Sequence, residues 1–254
     1  VAGICGGNRT PMRQFIFFII ALFCLSSLKA QQEITTFGLQ FKPILSSELI
    51  NTGPQTQKVG QIGFTIEPRS GYAFGMVIRK GLNQQFSLET GINYTERNYG
   101  LIITEDSTAF RGESDFKYVI YEIPLLALIY IRLSERAYMN TAFGASLNFL
   151  PTDWQTLGDY WQHFSQRESW IQPSLLANVG FEYRTYDSGY LYLGLSLHRP
   201  FNNITTAGVG YVEETVSGVR FEKESAFFDI LGNYLTLDFR YFFHEKPQYK
   251  QRLQ

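Results

Sequence analysis

Ser196 and His198 stand two residues apart in LYLGLSLHRP, on one side of an alternating stretch. A hydroxyl and an imidazole on one face are the start of a nucleophile and its base, and lipid modification within a barrel is the reaction they suggest. Spacing identifies no acidic third member, and such sets are recognised by geometry. The plainer reading makes each a polar wall residue. His163 and His244 have no neighbours of metal-ligand type. No catalytic residue, metal or cofactor is predicted, and the chain is not read as an enzyme.

A larger charged set follows the same period. Lys42, Glu89, Arg97, Glu122, Arg132, Glu182, Arg184, Asp238 and Arg240 all fall where apolar residues alternate with polar or small ones. Their signs nearly balance. Enclosed together they would neutralise one another, since an unpaired buried charge costs several kcal/mol. They are predicted to form a lumen charge network; ion conduction through a narrow channel is the alternative. A third set is aromatic. Trp154, Tyr160, Trp161 and Phe164, with Trp170 after them, mark residues 151–170 as a candidate outer contact loop. Such rings serve binding hot spots and bilayer interfaces alike.

These residues need long two-faced strands to hold them. In FKYVIYEIPLLALIYIRL (116–133) every second residue from Val119 to Ile131 is apolar. The other row is mixed and carries Glu122 and Arg132. Period two means an extended strand, and Pro124 argues against a helix. The same alternation marks strands at about 34–43, 71–80, 85–101, 137–149, 170–185, 190–201 and 226–243. IGFTIEP (62–68) could extend the second of these. Long and short connections alternate along the chain, as in an up-and-down barrel with short turns at one end. One row is apolar almost throughout; the other mixes the charges with small residues. A soluble lipocalin-like barrel would put the apolar row inside. Small and charged residues suit a narrow packed lumen instead, so the apolar row is predicted to face lipid. The fold class is all-β: an eight-stranded antiparallel transmembrane barrel.

Composition agrees. Aromatics make up 16% of the chain, which suits strands and interface girdles. The net charge of −1 gives no basic footprint for nucleic acid. MRQFIFFIIALFCLSSLKA (12–30) has the charge, apolar core and small-residue end of a signal peptide. Residues 1–11 before it are read as an upstream artefact, 31–243 as the barrel, and 244–254 as a polar tail. Both cysteines, Cys5 and Cys24, precede residue 31, so no disulfide is predicted in the barrel.

YEIPLLALIYI (121–131) resembles a strand of the PorT-like outer-membrane barrels of Bacteroidota. GYAFGMVIRKGLNQQFSLETGINYTERNYG (71–100) resembles that family's preceding hairpin, and LTLDFRYFF (235–243) its aromatic-ended last strand. The resemblance implies an address in the bacterial outer membrane, no shared catalytic residue, and a part in type IX protein secretion. The predicted function is structural or protein-interacting, accessory to secretion or envelope assembly. A narrow channel is the first alternative and a lipid-modifying barrel the second. Outer-membrane lipid and an envelope or secretion protein are the expected partners.

Overall fold

The computed structural model describes residues 35–45, 50, 53–83, 85–151, 154–185, 188–214, 218 and 220–243. The upstream segment, the signal peptide and the polar tail all lie outside the described residues. Among the described residues fourteen strands follow in order: β1 (Thr35–Leu45), β2 (Gln55–Val59), β3 (Ile62–Pro68), β4 (Gly71–Gly81), β5 (Phe86–Glu105), β6 (Phe110–Arg132), β7 (Ala137–Phe149), β8 (Trp154–Leu157), β9 (Trp161–Arg167), β10 (Ile171–Arg184), β11 (Tyr190–Pro200), β12 (Thr205–Glu214), β13 (Arg220–Ile230) and β14 (Tyr234–Phe242). Among the described residues no helix is long and apolar enough to cross a membrane.

Eight strands close a ring. β1, β4, β5, β6, β7, β10, β11 and β14 pair antiparallel in that order, and β14 returns to β1 through Gly38↔Phe242 to Leu45↔Leu235. Closure leaves no edge in the ring, so every ring strand has a partner on both sides. The pleat then decides the faces. Leu191, Leu193 and Leu195 point outward at about half exposure, while Tyr192, Ser196, His198 and Arg240 point in and are buried. Phe37, Leu39 and Phe41, Phe74 and Met76, Leu125 and Ile129, and Phe239 continue the outer apolar belt. A belt of exposed leucine and phenylalanine is incompatible with water but matched to hydrocarbon. The ring is a transmembrane β-barrel.

The glycines of the inner row make room for larger neighbours. Gly180 and Gly194 face one another across β10 and β11, and a methyl group on either would run into the Tyr192 ring.

The long connections differ from their sequence reading. Each carries or extends a β-hairpin. β2 and β3 form one, with Gly60 in the left-handed region (φ 58°) at its turn. The β5–β6 hairpin runs on to Glu105↔Phe110. β8 pairs with β9, and β12 with β13. β3 and β4 lie end to end along one edge of β5, so IGFTIEP continues the β4 path after a break at Arg69 and Ser70. The predicted strand at 226–243 is corrected. It divides at residues 231–233 into β13, in the outer sheet, and β14, in the barrel.

These hairpins build a cap on the end of the barrel opposite the short turns. β8, β9, β12 and β13 make one sheet; β2, β3 and the far halves of β5 and β6 make the facing wall. Between them lies an apolar core of Ile62, Phe64, Leu101, Ile103, Phe116, Trp161, Val209 and Phe228 with their neighbours. Side chains close the seams between the sheets. Gln55 and Gln57 donate to the backbone oxygens of Asp229 and Phe227, and the Tyr160 hydroxyl donates to that of Glu113.

Leu125→Arg, which places a cation in the outer belt at a residue 61% exposed, should cost about 2–4 kcal/mol of stability in lipid vesicles. Glu135→Arg in a short turn should stay within about 0.5 kcal/mol of the parent. Urea unfolding of both variants in vesicles checks the facing; equal stabilities would refute it.

Candidate functional site

The inner wall gathers side chains from strands far apart in the sequence into one chain of alternating charge. Arg184 donates to Glu182 at 2.7 Å, and Arg79 donates to the other oxygen of Glu182 at 2.5 Å. Arg79 also grips Glu89 through two nitrogens, at 3.0 and 2.9 Å. The second oxygen of Glu89 accepts from Arg240. Arg240 reaches Asp238 at 2.6 Å, and Asp238 meets Lys42 at 3.4 Å. Ser196, Thr236 and Asn178 donate their remaining bonds to Asp238. Glu122 accepts from Asn93 at 2.9 Å and faces His198 Nδ1 at 3.1 Å.

Lys42, Glu89, Glu122, Glu182, Asp238 and Arg240 are at most 5% exposed within this network. Arg97 is equally buried but stands apart from it. Its guanidinium donates to the backbone oxygens of Gly232 and Asn233, between the rings of Tyr99 and Tyr234. Arg184 sits at the short-turn mouth, with the rings of Tyr130, Tyr138 and Tyr190 around it. Arg132 is corrected: it is exposed at the rim and donates to Ser134, because β6 there runs past the end of β5 and is paired only with β7. Arg79 is the residue that sequence reasoning missed. It continues the inward row of Ala73 and Val77, and its cationic face lies 3.8 Å from the Phe242 centroid. Period two along β4 was the signal for it.

The aromatic set is also redistributed. Trp161 is 7% exposed and belongs to the cap core, and Tyr160 packs against that core. Trp161 is therefore no part of an outer contact surface, because alternation on β9 turns it inward; Tyr160 is half-buried at the seam. Phe164, one step out of phase, is 43% exposed. The side chain of Trp154 lies outside the described residues.

Ser196 and His198 do share the inner face, yet each is tied to its own carboxylate. The serine hydroxyl is spent on Asp238 at 2.6 Å, and the imidazole stacks on Tyr234 at 4.2 Å while facing Glu122. Both are at most 3% exposed. A base that activates a nucleophile must be bonded to it, and here the two engage different partners. His163 is buried in the cap core, stacked on Phe116 at 4.2 Å. Burial pushes its pKa down to about 4. His244 lies outside the described residues. Among the described residues no cluster of histidine, cysteine and carboxylates could hold a metal.

No protein-family model matches the chain, and no curated protein matches it. Among solved structures it is similar to the outer membrane protein OprG from Pseudomonas aeruginosa. The two are 12% identical, the match covers 86% of this chain and 99% of that one, and the TM-score is 0.49. The ring closure and the apolar belt carry the barrel reading independently of that likeness.

Two outcomes follow. Glu89→Ala leaves Arg79 and Arg240 without their shared anion and should cost about 3–5 kcal/mol, read as a lower urea midpoint. Protonation of His163 acts on the cap. The unfolded chain takes up the proton near pH 6.5, but the folded cap only near pH 4, so stability falls as pH drops through that interval and levels off below it. Amide exchange in β9 and β12 should therefore quicken relative to the barrel strands between pH 6.5 and 4. His163→Phe should remove that extra pH dependence.

Proposed function

We propose that this chain is a closed barrel of the bacterial outer membrane with a structural or protein-interaction role, and that its cap is the surface it presents. One observation carries this reading: the lumen is crossed by paired charges and topped by an apolar core. An eight-stranded barrel leaves an interior just wide enough for side chains. Here Arg79 on β4 and Glu182 on β10, opposite one another in the ring, meet at 2.5 Å, and Phe64, Trp161 and Phe228 stand in the cap beyond. A conducting path would require both to move aside.

By the usual geometry of such barrels the short turns lie in the periplasm and the cap outside. The motifs at 71–100, 121–131 and 235–243 support membership of the PorT-like barrels of Bacteroidota. With that membership comes an accessory part in protein secretion, type IX-like, or in envelope assembly. The outer belt meets lipid, and an envelope or secretion protein is the partner.

In planar bilayers the purified protein should give no discrete conductance steps; stable steps would replace this reading by the narrow channel. Purification in mild detergent from native membranes should recover a partner in fixed proportion. Repeated recovery of the chain alone would remove the partner.

A further inference from the structure

The outside of the cap has two unlike faces. On the wall made by β3, β5 and β6 the outward row bears Glu67, Glu96, Arg111, Glu113, Asp115 and Lys117, linked by ion pairs such as Lys117–Glu96 at 3.1 Å and Arg111–Glu113 at 2.7 Å. Just below, a run of rings from Phe41 through Tyr72, Phe74 and Tyr94 to Tyr121 forms an aromatic girdle, and Tyr94 donates to Glu96. On that side the belt ends where the charges begin.

On the opposite sheet a single polar rung, Gln166–Thr206–Asp229, stands between the barrel rim and further apolar side chains. Trp170 and Phe201, both 60% exposed, carry the apolar surface past the rim of the barrel. Above them Phe164, Gly208 and Phe227 lie side by side across β9, β12 and β13. The Phe164 ring lies over Gly208, where a methyl group would collide with it, and meets Phe227 edge-on at 6.0 Å. Phe227 is 55% exposed, and Leu157 on the next row is 66% exposed. The acids of this face, Asp229 and Glu222, are bonded to Thr206 and Gln162. The two phenylalanines stand three residues beyond the Arg167–Thr205–Ile230 rung, about 10 Å along the strands.

We infer that the outward face of the β8–β9–β12–β13 sheet rests in the lipid of the cap-side leaflet, anchored by Phe164 and Phe227, so that the membrane climbs higher on this side of the protein than on the other. The occupant is lipid because the face resumes its apolar character one rung above a belt that already meets hydrocarbon, whereas the facing wall turns to charge at the girdle and stays charged. Aromatic residues are the side chains that settle at such interfaces. This inference rests on the membrane reading of the barrel and adds how the cap lies on the bilayer.

Site-directed spin labelling in vesicles of phosphatidylethanolamine and phosphatidylglycerol tests it. Cys5 and Cys24 are replaced by serine, and single labels are placed through Phe164→Cys, Phe227→Cys, Leu193→Cys and Arg111→Cys. Labels at 164 and 227 should favour collision with oxygen over a water-soluble nickel chelate severalfold more than the label at 111, as the label at 193 does. If they instead match the label at 111, the inference is overturned. Spin–spin broadening at 227 would mean that a second copy covers the face, which also overturns it. A nickel-accessible label at 193 would sink the membrane reading itself. Heat-modifiable migration confirms folding of each variant, and Leu157→Cys reports on the same face where a phenylalanine variant fails to fold.

Discussion

A backbone amide inside hydrocarbon has no water to bond to, and the ring of eight strands is the answer to that constraint. Closure through β1 and β14 gives every ring strand two neighbours. Closure also forces a choice at each residue, because the pleat sends successive side chains to lipid and to lumen. Leucine, isoleucine and phenylalanine fill one set of positions. The lumen of so narrow a ring must then be packed with the other row, which holds glycine, serine, asparagine and charge together with Leu126, Leu128, Tyr192 and Phe242.

Charge in that space survives only by pairing. The order Arg184, Glu182, Arg79, Glu89, Arg240, Asp238, Lys42 alternates in sign at each step. Its members come from β10, β4, β5, β14 and β1, so the network ties together strands that are not all adjacent. Arginine suits this task because its planar fork binds two acceptors at once. Ser196 and His198, which a reader of the sequence sees as a reactive pair, are absorbed into the same scheme as donors and neighbours of the carboxylates.

The cap follows a different physical rule from the barrel. Beyond the ring, the strands of the long connections form a two-sheet sandwich with an apolar inside. β5 and β6 therefore invert their outward rows along their length, from apolar at Leu88 and Leu125 to charged at Glu96 and Glu113. Their inward residues are polar at Glu89 and Glu122, and apolar at Leu101 and Phe116. His163 lies within the apolar part, held neutral by burial beside Phe116.

The eight ring strands, their faces and the inward placement of most of the charges were legible in period two alone, because a two-residue repeat maps directly onto two sides of a wall. β7 was found to the residue, and Arg240 and Leu193 point as the alternation requires. The partner of each charge was not legible, since Arg79 and Glu182 are neighbours only after the ring has closed. Nor was the cap. β2, β8 and β9 are short, β2 has no apolar row at all, and the inward residues of β9 gain meaning only from the facing sheet. The fate of Trp161 shows the difference best: composition marks it as an aromatic in a long connection, and only the packing of one sheet on another turns it into core.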